Sequence, residues 1–278
     1  MEGIYEEDRE VTWKIAPALL GAAALCASSA ASASGIQVDI IPNFAGAGLG
    51  VTTEWMGAKD KIWGLVPGGR MQLEHNRFVE VYGPTADMNL LEHPNWELGP
   101  VLSYRFGRKD VTDPVVNLLP PIDGGFEAGA MVGWHYTRLE GIPYRLRLGV
   151  IATTGVSGGA TGGHVTPYAS LWVPLSTRVF VGVGGGLTWS SGSFMQQRFG
   201  VTSQDSAASG LPTFSAAAGV RQYYVWPAVI WRFAPQWYAG TGVFYQRITG
   251  DGADSPIVTQ RGDANQLTAG IGIGYSWQ

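Results

Sequence analysis

The stretch 267–277, LTAGIGIGYSW, decides the fold. Leu267, Ala269, Ile271, Ile273, Tyr275 and Trp277 fall on one side of an extended chain, and Thr268, Gly270, Gly272, Gly274 and Ser276 on the other. A period of two marks a strand with one apolar face and one small or polar face. The same alternation recurs upstream. Val179, Val181, Val183, Leu187 and Trp189 oppose Arg178, Gly182, Gly184, Gly186 and Thr188. Phe126, Ala128, Ala130, Val132, Trp134 and Tyr136 oppose Glu127, Gly129, Gly133 and His135, while Leu146, Leu148, Val150 and Ala152 alternate with Arg145, Arg147 and Gly149.

A water-soluble sandwich alternates too, so strand length and loop pattern carry the decision. Several runs reach the roughly 9–11 residues that a tilted membrane strand needs. From a strand over 98–107 onward, the connections are long (108–124), short (138–142), long (154–163), short (175–177), long (190–222), short (234–236) and long (249–265). Outer-membrane barrels alternate in this way, with the short turns in the periplasm. Aromatics gather near strand ends (Trp134, Tyr136, Trp189, Trp231, Phe233, Trp237, Tyr238, Tyr275, Trp277), where interfacial girdles form. Eight strands follow residue 97, and four more are expected at 44–55, 65–75, 77–83 and 86–92. The expected fold is all-β: a transmembrane antiparallel up-and-down β-barrel of about twelve strands, with ten as the alternative.

Composition agrees. The 278 residues include 40 Gly and are 12% aromatic but only 14% charged, against about 25% charged in soluble domains. The formal charge of −4 comes without any basic block, which excludes a nucleic-acid footprint. The single cysteine, Cys26, excludes an intrachain disulfide and a Cys-based zinc cluster. A hydrophobic share of 45% excludes a disordered chain. No apolar run after residue 34 is long enough for a transmembrane helix.

The first segment reads as an export address. Lys14 precedes the apolar run IAPALLGAAALC (15–26), and Ala31-Ser32-Ala33 offers small residues for cleavage. Residues 1–33 are therefore expected to be a signal peptide and 34–278 a single barrel domain. The acids Glu2, Glu6, Glu7, Asp8 and Glu10 do not suit such a segment and point to a translation start near Val11.

Catalytic patterns are weak. Gly155-Val156-Ser157-Gly158-Gly159 matches G-x-S-x-G, but it sits in a Gly-rich loop with no strand-turn-helix context. His164 lies nearby, with no acidic partner at an obvious strand position. His75, His93, His135 and His164 are scattered and make no zinc pattern. Asp251 and Asp254 lack the spacing of a calcium loop, and Arg261-Gly262-Asp263 makes an ordinary turn. The expectation is a chain with no catalytic residues, no metal and no cofactor. Its lumen would be lined by Arg105, Arg145, Arg147, Arg178, Glu127 and His135.

Further motifs resemble a known family. Gly99-Pro100 with Tyr104-Arg105-Phe106-Gly107-Arg108 is similar to its GP…Y-R-x-G-R strand, and Glu127-Ala128-Gly129 to its E-x-G opening. Ser206–Pro212 (SAASGLP) resembles its S-x-x-S-G-L-P loop. Gly250–Val258 (GDGADSPIV) followed by Asn265-Gln266 resembles its close, with Gly252 in place of the usual Ala. The family is that of the MltA-interacting proteins (MipA/OmpV). The resemblance implies an outer-membrane location in a Gram-negative bacterium. It also implies a non-catalytic scaffold for peptidoglycan-remodelling enzymes, a lytic transglycosylase and a murein synthase, in the periplasm. The alternative reading is a pore or small-solute binding barrel.

Overall fold

The computed structural model describes residues 41–277. The expected signal peptide and the start near Val11 lie outside the described residues.

Twelve antiparallel strands close into a barrel in sequence order. They are β1 (Asn43–Thr53), β2 (Lys61–Gln72), β3 (Phe78–Tyr82), β4 (Thr85–Asn89), β5 (Trp96–Arg105), β6 (Gly125–Arg138), β7 (Tyr144–Gly155), β8 (Gly163–Pro174), β9 (Val179–Ser190), β10 (Gly219–Ala234), β11 (Trp237–Ile248) and β12 (Asn265–Trp277). The expected strand count and the alternating turn lengths are both realised. Four short helices lie in the long loops: α1 (Gly192–Phe199), α2 (Ser203–Ser209), α3 (Asp251–Asp254) and α4 (Pro256–Arg261). No helix among the described residues is long and apolar enough to cross a membrane.

Closure occurs where β1 pairs with β12. Gly46, Gly48 and Gly50 stand opposite Gly274, Gly272 and Gly270 on the inward face, while Ala47, Leu49 and Val51 meet Ile273, Ile271 and Ala269 on the outward face. The inward glycines are a steric requirement. A Cβ on Gly48 would lie 2.5 Å from the carbonyl oxygen of Ile271. Elsewhere inward glycines make slots for rings: a Cβ on Gly182 would touch Trp172, and one on Gly184 would touch Trp226.

The outward face is an apolar band between two aromatic girdles. One girdle holds Trp96, Trp134, Tyr136, Trp231, Trp237, Tyr275 and Trp277 at the short-turn end, and the other holds Tyr104, Phe106, Phe126, Trp189 and Tyr223 at the long-loop end. Tyr238, expected in a girdle, instead pairs with Arg232 and Gly274 on the inward side. Arg178, expected in the lumen, sits in the exposed turn before β9, because the strand starts only at Val179 and no pleat directs the preceding side chain inward. β2 starts at Lys61, ahead of the expected 65. Ile62 and Val66 are apolar on the inward face, which erases the period of two over Lys61–Val66.

Gly48→Val should crowd the closing seam, costing about 1–3 kcal/mol as overpacking does. Urea unfolding followed by heat-modifiable migration should show an earlier midpoint, with Ala47→Val on the lipid face unaffected.

Candidate functional site

The long loops do not splay into solvent. They fold together into a cap with its own apolar core. Trp55 and Ala58 from the β1–β2 loop pack with Val111, Val116 and Leu119 from the β5–β6 loop, Val201 and Leu211 from the β9–β10 loop, and Ile257 of α4. Beside them Phe194, Met195, Phe199 and Ala216 pack with Ile248 and Val258.

Local sequence explains the helices in this cap. Thr202 and Asp205 form a reciprocal capping box at the start of α2, and Gly210 ends that helix with φ 76°. Ser255 caps α4 and Pro256 takes its first turn. The Thr202…Asp205 spacing was the legible signal. The helices are too short to show a 3.6-residue apolar period.

Polar bonds stitch the loops together. Arg108 Nη1 donates to the carbonyl of Arg198 at 3.0 Å, and Arg198 Nη1 donates to that of Phe106 at 2.9 Å. Ser255 Oγ donates to the carbonyl of Phe199 at 2.7 Å. Arg261 reaches Asp113 at 2.8 Å, which ties α4 to the β5–β6 loop. Burial lowers both Arg108 and Arg198 to about 10, and each stays protonated at neutral pH. Burial pushes the Asp113 carboxyl up, but bonds from Arg261 and from the Val116 and Val115 amides outweigh it and hold it below its usual range.

Beneath the cap, at the long-loop end of the lumen, Glu127 is the central anion. Arg105 grips it in a fork at 2.9 and 2.7 Å. His164 Nε2 lies 3.1 Å from Glu127 Oε1, while its Nδ1 meets Ser190 Oγ at 2.9 Å. The expectation that His164 lacks an acidic partner is thus corrected: register brings β6, β8 and β9 together. His164 bonds Ser190, whereas Ser157 is an exposed loop residue whose hydroxyl accepts from the Phe126 amide at 3.4 Å. The Ser190–His164–Glu127 series holds the three groups of a hydrolase triad with the imidazole nitrogens exchanged, the hydroxyl on Nδ1 and the carboxylate on Nε2. However, Ser190 is 0% exposed and Phe194 sits edge-on over the imidazole, 4.4 Å between centroids. A substrate carbonyl has no approach to that hydroxyl. Phe194 also receives Arg221, Arg198 and Arg105 at 4.9, 5.7 and 5.9 Å, so one ring and one carboxylate hold a cluster of cations.

A second ionic cluster lines the short-turn half of the same wall. Arg147 bonds Glu97 at 2.6 Å and approaches Glu80 at 3.4 Å, Arg70 pairs with Glu80, and Arg145 lies 3.9 Å from Glu97. His135 Nδ1 is 3.0 Å from Glu97 Oε1. Gly133 makes this possible, because a Cβ there would stand 2.9 Å from Glu97 Oε2. Arg105, Arg145, Arg147, Glu127 and His135 therefore face the lumen as expected, and they divide between two separate clusters. Glu80, Glu97, Arg70 and Arg221 were not anticipated.

The other sequence candidates are structural. Asp251 accepts from the Ala217 amide at 2.7 Å, and Asp263 from that of Asn265 at 2.7 Å. His75 and His93 lie in short turns, and among the described residues no group of three or more His, Cys, Asp or Glu is placed to hold a metal.

The motif residues Arg105, Arg108, Glu127, Ser206–Pro212 and Gly250–Val258 all fall on the cap or directly beneath it. A family model described as MltA-interacting protein MipA matches residues 45–277. The chain belongs to this family. That membership, with the closed barrel, makes it a Gram-negative outer-membrane protein. A comparison with curated proteins finds no match. Among solved structures, OmpT of Vibrio cholerae is similar at 10% identity over 84% of this chain and 96% of that one, with a TM-score of 0.37. The translocator domain of the autotransporter NalP from Neisseria meningitidis is 12% identical over 94% and 97%, TM-score 0.39. The monoaromatic hydrocarbon channel CymD is 11% identical over 93% and 94%, TM-score 0.38.

Two outcomes follow for this MipA-family barrel. Glu127→Gln should remove the carboxylate that Arg105 and His164 share, costing about 3–5 kcal/mol as a broken buried pair does; urea unfolding of the compact form measures it. The Asp113–Arg261 tie should be complete above the ordinary carboxylate value of about 3.9 and be lost as pH falls through the lower native value. Amide protection factors over 111–119, taken against the intrinsic exchange rate at each pH, should fall on acidification through that native value, and be already low at neutral pH in Arg261→Ala.

Proposed function

We propose that this protein is a non-catalytic outer-membrane platform that holds a lytic transglycosylase, and through it murein synthesis, at the periplasmic face. The observation that carries the reading is the family match, whose description names an interaction with MltA. The architecture supports it. A cap with a packed core over the lumen, and ionic clusters bridging its wall, suit a plugged barrel better than a wide pore. The sealed Ser190 hydroxyl speaks against hydrolysis.

The adjoining turns 73–77, 90–95 and 139–143 form the docking surface. They expose Leu73, Leu90, Leu139 and Ile142, with Glu74, Glu92 and Glu140 around them. Apolar anchors inside a charged rim are the usual anatomy of a protein interface. The pore reading draws on the arginine-bearing lumen, and single-channel recording on the reconstituted protein separates the two.

Cross-linked capture from detergent-solubilised envelopes should enrich a lytic transglycosylase over an unrelated barrel. Leu90→Asp combined with Ile142→Asp should lower that recovery about tenfold or more, as loss of interface anchors does. Equal recovery with the unrelated barrel, together with discrete conductance steps, would replace the platform with the pore.

A further inference from the structure

One part of the barrel wall is incomplete. β3 and β4 have five residues each, against ten to sixteen in the other strands. β3 meets β2 only from Gly68↔Tyr82 to Gln72↔Phe78, and β4 meets β5 only from Thr85↔Ser103 to Asp87↔Val101. The carbonyl of Pro67 takes the amide of Gly83 at 2.8 Å, and above that bond no described strand pairs with this edge of β2. Strand alternation directs the N–H and C=O groups of Trp63 and Leu65 to the same uncovered side. On the far side the Tyr104 amide donates to the carbonyl of Pro84 at 2.8 Å, so the hairpin covers β5 almost to its end at Arg105 and the β5–β6 loop bounds the opening; the uncovered edge of β2 over 61–66 runs about 20 Å.

The gap is a window. The β3–β4 hairpin is its sill. Its lintel is the β5–β6 loop, joined to the β1–β2 loop where the Thr112 amide donates to Glu54 Oε2 at 3.0 Å. Leu65 lies level with Leu49 and Ile271 in the lipid-facing band, and Lys59, Lys61 and Lys109 stand above it at the cap. The opening therefore sits at hydrocarbon depth on the outer-leaflet side. Its inner margin is apolar and accessible: Ile62 and Val66 point inward yet are 41% and 44% exposed, whereas the inward Val101 and Met131 on intact wall are 2% exposed. Gly64 lies between Ile62 and Val66, and a Cβ there meets nothing within 4 Å.

We infer that this window admits an acyl chain of an outer-leaflet lipid sideways into the lumen. The hydrocarbon lies along Ile62, Gly64 and Val66, and an amide or hydroxyl on the chain pairs with the free backbone of Trp63 and Leu65. Hydrocarbon alone would leave those backbone groups unsatisfied in the bilayer, a cost of several kcal/mol each, so the occupant must carry hydrogen-bonding atoms. A second copy does not fit. Antiparallel pairing of two β2 edges needs a two-fold axis in the membrane plane, which would invert one barrel. The inference does not rest on the platform reading.

The test uses the full barrel reconstituted with a lipid whose amide-linked 3-hydroxyacyl chain carries a diazirine, with cross-linked residues located by mass spectrometry. The inward positions Ile62, Val66 and Tyr82 should be labelled along with the outward Trp63 and Leu65. Gly64→Trp should fill the window and cut inner labelling about tenfold, the effect of losing about 1.4 kcal/mol of binding. Gly219→Trp adds equal bulk where a Cβ also meets nothing within 4 Å, and it should leave labelling unchanged. Heat-modifiable migration verifies that each variant is folded. Labelling confined to outward residues overturns the inference, as does inner labelling that survives in folded Gly64→Trp. A free diazirine-bearing 3-hydroxyalkyl acid that labels the inner positions when the lipid does not would overturn the lipid as the source.

Discussion

Inside a bilayer no solvent stands ready to pair a bare strand edge, and this single demand organises the molecule. The first strand must find the last, so β1 and β12 have to approach along their whole length. Gly46 and Gly48 remove the side chains that would collide with the β12 backbone. With the seam closed, inward positions can be small, aromatic or charged without meeting lipid. Among the described residues the upper edge of β2 is the exception to this demand, and it coincides with the stretch where the apolar–polar alternation lapses.

A shortage of anions shapes the interior beneath the cap. Arg105, Arg198, Arg221 and His164 gather around Glu127 and the ring of Phe194. Burying a charge without partners is costly, so these groups share what is available: a carboxylate, a π face and backbone carbonyls. Glu127 comes from strand β6 and Phe194 from helix α1, so the electrostatics of the wall and the packing of the loops are one system. The family motifs follow that system, which explains why stretches far apart in sequence resemble one family together.

The fold was legible because it repeats. Alternation in 267–277, 178–189 and 125–136 assigned faces that the pairing register confirms. Loop lengths gave the side of each turn. Errors arose where the period had no strand beneath it, as at Arg178, or where both faces were apolar, as at Ile62 and Val66. The site was barely legible. His164, Glu127 and Ser190 meet because β8 neighbours β9 and the imidazole reaches across the lumen wall, and neither fact is local in sequence. The cap core was hidden for the same reason: Trp55, Val116, Val201 and Ile257 belong to four loops with no shared pattern.

The shared core of those loops determines how the cell exterior meets this protein. The surface shown to antibodies, phage or host molecules is assembled from segments up to two hundred residues apart, held in register by buried side chains. A linear peptide copied from 106–124 or 249–264 would lack the neighbours that shape it. Sera raised against such peptides should recognise the denatured chain and pass over the intact cell. Antigenic drift in one loop is likewise constrained by the three loops it packs against.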